Sequence, residues 1–307
     1  MTLEADAVTQ AFLEHLTATD RALLLAADPE RGRGRPEDTR AAVELSVPGR
    51  LEHLLSSPQV FESVFLPGPP DEPLLAASPF LVFAVAVGQA AGHLSQATYV
   101  TEWLGPGQRA PIFDVAPLRD FLAEPGRRLF LAELLASYTR VSSGSVIVST
   151  RRGRRRQRFS ELDPVRLAGL LEVVPEAERT GVLRRLGDLA LFLTGVFPDH
   201  VARQGFGTIE EGRLRRAGRL VRHPSEGSPA EADGAWEGLG DGGAVGLLER
   251  LGRTWYRAAS DRLEPPIPLG MRVVGELPER FGQARRILNL VTDRFLFVQR
   301  ERWFGRA

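Results

Sequence analysis

The chain has 307 residues, with 39 arginines balancing 39 acidic residues, and it contains neither lysine nor cysteine. That composition excludes thiol nucleophiles, disulfides, cysteine zinc sites, iron–sulfur clusters and Schiff-base lysines, together with the lysine of a phosphate-binding P-loop or a protein kinase. Hydrophobic residues at 43% and charged residues at 25% are those of a globular protein large enough to bury a substantial core. Arginine without lysine, beside a single asparagine (Asn289), fits a GC-rich genome. The zero net charge hides a polarity: residues 1–125 carry 8 arginines and 17 acidic residues, residues 126–307 carry 31 and 22. Such an asymmetry suits either a charged binding face or two halves that pair with each other.

The N-terminus is acidic and amphipathic, without the basic start and apolar stretch of a signal peptide. Together with the absence of cysteine it suggests a cytoplasmic protein. Apolar Val8, Phe12, Leu16 and Leu23 predict one helix over 3–26. A loop over 28–38 follows, then a helix over 36–47 and a short one over 50–55. The fragment Leu-Glu-His-Leu at 13–16 and 51–54 is too short to define a repeat. The proline-rich stretch 67–73 breaks the chain, and Ser78-Pro79 is a helix start with serine as cap and proline in the first turn. The run that follows is apolar almost all round but interrupted by Gln89, His93, Ser95 and Gln96, which reads as a buried central helix rather than a membrane span.

Glycine and proline punctuate 104–117, and helices are predicted over 117–123 and 127–139. Residues 145–159 form the strand candidate: Val146, Ile147 and Val148 favour extended backbone, and Arg152-Gly153 turns the chain into a second strand. Asp163-Pro164 opens a helix to 174, and a long apolar helix covers 176–197. Residues 223–243, rich in glycine, proline, serine and acid, read as a linker. Helices over 244–260 and 278–302 close the chain. The expected fold is mainly α, a helical bundle-like body with one β-hairpin near 145–159. The segmentation is an acidic helical segment over 1–66, a helical core over 73–222 bearing the hairpin, the linker over 223–243 and C-terminal helices over 244–307.

The segments GDLALFLTGVFP at 187–198 and ERFGQARRILNLVTDRFLF at 279–297 resemble a group of uncharacterised bacterial helical proteins. The resemblance covers the C-terminal half and implies a helical fold; it implies no activity.

Candidate sites are few. Arg151, Arg152, Arg154, Arg155, Arg156 and Arg158 cluster on the predicted hairpin, and Arg213, Arg215, Arg216 and Arg219 form a second cluster with Arg222. Guanidinium forks suit phosphate and carboxylate, so a nucleic-acid or anion surface is one reading. A solvated or self-paired hairpin facing the acidic N-terminal half is the other, favoured by the apolar helix before it and the lack of interleaved aromatics. Gly238-x-Gly240-x-x-Gly243 lacks the preceding strand of a dinucleotide fingerprint. The five histidines show no metal-ligand spacing, Ser142–Ser145 is a turn, and no Gly-x-Ser-x-Gly elbow exists. Asp199-His200, after the helix end at Pro198, reads as a surface loop pair, with a capping or binding role as the alternative. His93 and Asp188 are the polar groups an apolar pocket would use, with Arg184, one turn earlier, the expected partner of Asp188. These observations predict no cofactor, no metal and no catalytic residue. The leading reading is a non-catalytic binding or regulatory protein contacting another protein or a second copy of itself. The alternative is nucleic-acid binding through the two arginine clusters, and a third is a helical enzyme or small-ligand carrier with a pocket in the apolar body.

Overall fold

The computed structural model describes residues 2–28, 38–65, 77–150, 153–221 and 243–297. The protein is mainly helical, and the described residues form 14 helices and two small two-stranded antiparallel sheets. Two compact units divide it. The first comprises Met1–Glu102, Pro111–Thr139 and Arg286–Ala307, the second Trp103–Ala110 and Arg140–Arg285. The linker expected over 223–243 falls, up to residue 242, outside the described residues.

In the first unit, α1 (Thr2–His15) and α2 (Ala18–Ala26) replace the single predicted helix. The reason is a reciprocal cap. The Asp20 backbone N–H donates to Thr17 Oγ1 at 3.1 Å, and the Thr17 N–H donates to Asp20 Oδ2 at 2.8 Å, which satisfies two helix-start donors at once. The other Asp20 oxygen accepts the Ser78 N–H at 2.7 Å. Ser78 itself caps α6 (Pro79–Gln96), accepting from the Leu81 N–H at 3.2 Å. A fully buried carboxylate thus joins the starts of two helices.

Helix α3 (Asp38–Leu45) lies against α2 and α4 (Arg50–Leu55). Around α6 pack α4, α5 (Pro58–Phe65), α7 (Ala116–Ala123) and α8 (Pro125–Ser137). Leu81, Ala84, Val85, Val87, Gly88 and Leu94 of α6 are all buried, as an uncharged central helix requires. Arg119 closes its C-terminus, donating from Nε to Leu94 O and from Nη2 to Ala97 O, both at 2.6 Å. Among the described residues no helix is long and apolar enough to cross a membrane.

The sequence predicts one hairpin, and the described residues form two. Strands β1 (Val100–Gly105) and β2 (Gln108–Ile112) make the first sheet. Gly107, at φ +70°, supplies the left-handed residue its turn needs. The Gly-Pro-Gly stretch that reads as loop is this turn.

The second hairpin is β3 (Ser143–Thr150) with β4 (Gly153–Ser160). It leads through α9 (Pro164–Ala168) and a 3₁₀ turn (Gly169–Glu172) to α10 (Glu176–Val196), α11 (Pro198–Gln204) and α12 (Thr208–Leu220). The core of the second unit is α10 against α13 (Gly243–Ser260). A Cβ on Gly187 would lie 2.7 Å from the Tyr256 ring, and one on Gly252 would lie 2.5 Å from Phe281 and 3.0 Å from the Ala190 Cβ. Both glycines are there because the packed elements approach too closely for a side chain.

Helix α14 (Leu269–Val291) begins earlier than expected and contains Pro278, the residue that reads as its start. The opening is set by Pro268, whose carbonyl accepts from the Met271 and Arg272 N–H groups at 2.9 and 3.2 Å. The missing Pro278 N–H costs the helix one internal bond, while its carbonyl receives Arg253 Nη1 at 3.0 Å. After α14 a π-helical turn (Thr292–Leu296) packs on α6.

Gly187→Ala and Gly252→Ala should each cost about 1–3 kcal/mol, because the ring or backbone must shift to admit the methyl group. Gly181→Ala on α10 meets nothing within 4 Å and should be neutral or stabilising by up to about 1 kcal/mol. Urea denaturation of the three variants checks the contrast.

Candidate functional site

The β3–β4 ribbon is the most strongly charged local element. From Ser143 to Ser160 it carries six arginines and no acidic residue. Its register runs without a bulge: Ser143 opposes Ser160, Ser145 opposes Arg158, Ile147 opposes Arg156, Ser149 opposes Arg154 and Val148 opposes Arg155. Directly opposed residues share a face, so positions 154, 156 and 158 fall on one face with 145, 147 and 149. Arg156 and Arg158 are exposed, and between the strands Arg156 Nε donates to Ser145 Oγ at 2.7 Å. Ile147, directly across from Arg156, is 70% exposed. That is a large value for a β-branched residue in the middle of a strand, and it makes the face mixed, apolar at its centre and cationic along one side.

The base of the ribbon is fastened. The Ser142 N–H donates to Glu161 Oε2 at 2.8 Å, the Glu161 N–H donates to Ser142 O at 3.1 Å, and Arg185 of α10 lies 3.4 Å from the same carboxylate. Gly144 opposes Phe159, whose ring stands 3.2 Å from where a Cβ would be. Strand β4 lies against α9 and the 3₁₀ turn.

Arg151 and Arg152 lie outside the described residues, and for Arg154 and Arg155 only the strand position is described. The second cluster sits on α12 and is partly neutralised. Arg215 donates to Glu211 Oε1 at 2.6 Å and Arg216 lies 3.8 Å from Glu172. Arg213 and Arg219 are exposed, and Arg222 is outside the described residues.

Asp188 is buried on α10. Tyr256 Oη donates to its Oδ1 at 2.8 Å, and Arg184 Nε stands 3.8 Å from Oδ2. These contacts make Asp188 an α10–α13 tie, as a buried carboxylate requires, rather than a group facing open space. His93 is half-buried on α6, in the other unit; burial first and Arg294 second hold its pKa below the usual 6.5, so it is neutral at pH 7.

The role of one residue was not legible in the sequence. Asp199, at the start of α11, grips the β1–β2 turn: Trp103 Nε1 donates to Oδ1 at 2.8 Å, the Gly107 N–H donates to Oδ1 at 3.1 Å, and Arg109 Nη2 reaches Oδ2 at 3.4 Å. Partial burial raises its pKa, but the Trp103, Gly107 and Arg109 donors outweigh that and hold it below 3.8. A cleft of about 230 Å³ lies beside it, lined by Asp163, Pro164, Leu193, His200, Gln204 and Glu210 among others. Its carboxylates are engaged as caps: Asp163 Oδ1 accepts from Val165 and Arg166 N–H groups at 3.0 Å, and Glu210 Oε2 accepts from the Gly207 N–H at 3.1 Å. Among the described residues no group of three acidic or histidine side chains is placed to hold a metal ion.

Comparison with known protein families, with curated proteins and with solved structures finds no match.

A depressed carboxylate pKa stabilises above the unfolded value, and that contribution is lost as pH falls through the folded value. The Asp199 latch should therefore hold at neutral pH and release below about pH 3.8. The Trp103 indole N–H resonance checks it: it should shift on acidification below that pH, and Asp199→Asn should move it already at neutral pH.

Proposed function

We propose that the protein is a non-catalytic binding or regulatory protein whose contact element is the β3–β4 ribbon and whose partner is a protein. The observation that carries this reading is Ile147, 70% exposed in mid-strand beside exposed Arg156 and Arg158. An apolar anchor flanked by arginines is the composition of protein contact surfaces, where arginine is enriched and a few central residues carry most of the binding energy. The fastening of the ribbon base by Glu161 and Arg185 supports it further, because a held element loses less entropy on binding than a free one. The setting is cytoplasmic in this reading.

Nucleic-acid binding is the second reading, favoured by one observation: six arginines without an acidic residue across Ser143–Ser160. It gains little from α12, where Arg215 and Arg216 already pair with carboxylates.

A photo-crosslinking amino acid at position 147 separates the two. The protein reading expects protein adducts of discrete mass, and no binding to mixed-sequence DNA or RNA at low salt. Nucleic-acid binding that falls about 10³-fold or more between low and moderate salt, and that is lost in an Arg154/Arg155/Arg156 triple alanine variant, would replace it with the second reading.

A further inference from the structure

Strand β3 is an edge. Among the described residues its backbone is paired with β4 alone, so on its other side alternate N–H and C=O groups have no ladder partner. Edges of this kind invite strand addition, and proteins usually blunt them with charge, proline or a bulge. β3 has none of these: Ser-Gly-Ser-Val-Ile-Val-Ser-Thr is uncharged and free of proline, and its register with β4 is unbroken over Ser143–Thr150.

The edge is also self-complementary. Residues 145–149 read Ser-Val-Ile-Val-Ser in either direction. Two such strands running antiparallel about Ile147 place serine opposite serine, valine opposite valine and isoleucine opposite isoleucine, the self-matching patch that a two-fold interface demands. We infer that the partner seated on this edge is a second copy of the chain, forming a four-stranded sheet in the order β4-β3-β3-β4. The inference rests on the reading of the ribbon as a protein-contact element.

Charge selects the same arrangement. The uncharged strands meet in the middle and the arginine strands lie outermost, three strand spacings or roughly 14 Å apart. That exceeds the screening length of about 8–10 Å at physiological salt, so the two arginine rows do not oppose assembly. Pairing through the β4 edges would instead bring them side by side. The exposed Ile147 of each copy is covered by its equivalent.

The absence of cysteine makes the test direct. In an antiparallel pair, residues on the axis have Cα atoms about 4.5–5.5 Å apart, inside the range a disulfide spans. Under mild oxidation Ile147→Cys should cross-link rapidly to a covalent dimer, while Arg213→Cys, exposed on α12, should not. Sedimentation equilibrium of the full chain should show a monomer–dimer equilibrium, weakened by about tenfold or more in Ile147→Lys, which sets like charges face to face. Circular dichroism verifies that each variant is folded. A wild-type chain that stays monomeric, or cross-linking no faster at 147 than at 213, overturns the inference. If a monomeric chain still gives heterologous protein adducts at position 147, self-pairing fails and the protein-contact reading stands. If those adducts are also missing, both fail. A dimer that Ile147→Lys leaves intact also overturns the edge inference.

Discussion

The second compact unit depends on how closely α10 and α13 approach, and two absent side chains fix that distance. Gly187 on α10 makes room for the Tyr256 ring of α13, and Gly252 on α13 for the Ala190 Cβ of α10 as well as for Phe281 of α14. Once the ring is seated, its hydroxyl lies 2.8 Å from Asp188. The close contact and the buried polar pair are therefore one arrangement: without the glycine the ring stands off, and without the ring the carboxylate loses a donor. Everything proposed to have a function is hung from α10. Arg185 on that helix holds Glu161 and with it the base of the arginine ribbon. Past its C-terminus, Asp199 holds the β1–β2 turn.

The charge polarity between the two halves of the chain persists, weaker, between the compact units. The first unit has 14 arginines and 20 acidic residues, the second 25 and 19. Arg215, Arg253 and Arg285 each have a carboxylate partner on a helix of the second unit, which accounts for their number without any ligand. The ribbon has no carboxylate in its own sequence between Ser143 and Ser160. On α12, Arg215 and Arg216 pair with Glu211 and Glu172.

Most helices were legible because their signals are local. Ser78-Pro79, Asp163-Pro164 and the apolar run before Pro198 each carry cap, first turn or core face within a few residues. The misreadings come from caps and turns whose partners the helical and strand patterns do not show. Thr17 divides the first helix because Asp20 is held from both sides, one of them by Ser78, 58 residues away. Pro278 reads as a helix start but lies inside α14. The hairpin at 100–112 is hidden because β1 and β2 are short and Asp199, which secures their turn, is about 90 residues later. For the candidate site, the strand character of Val146, Ile147 and Val148 was legible, as was the arginine cluster. That Ile147 stands opposite Arg156 was not, because a one-residue change of register would put it on the other face.

The asymmetry of the ribbon is the strongest reason to prefer a protein partner to a nucleic acid. A ribbon shaped to follow a phosphate backbone gains from charge on both strands and from aromatic residues between them. Here all the charge of the paired strands is on β4, the strand that packs on α9 and the 3₁₀ turn. Its partner β3, whose own edge is open, is β-branched at its centre, uncharged and flanked by serines. Exposed edges are usually protected by charge; this ribbon carries its charge on the β4 edge and leaves the β3 edge without any. Such an edge persists in a stable protein only if something pairs with it or if its surroundings keep other chains away. The arginines next to it do the second for any cationic chain and for arginine-bearing edges, while leaving an uncharged edge of matching sequence free to dock. Charge on β4 and its absence on β3 thus act together as a filter on what can pair.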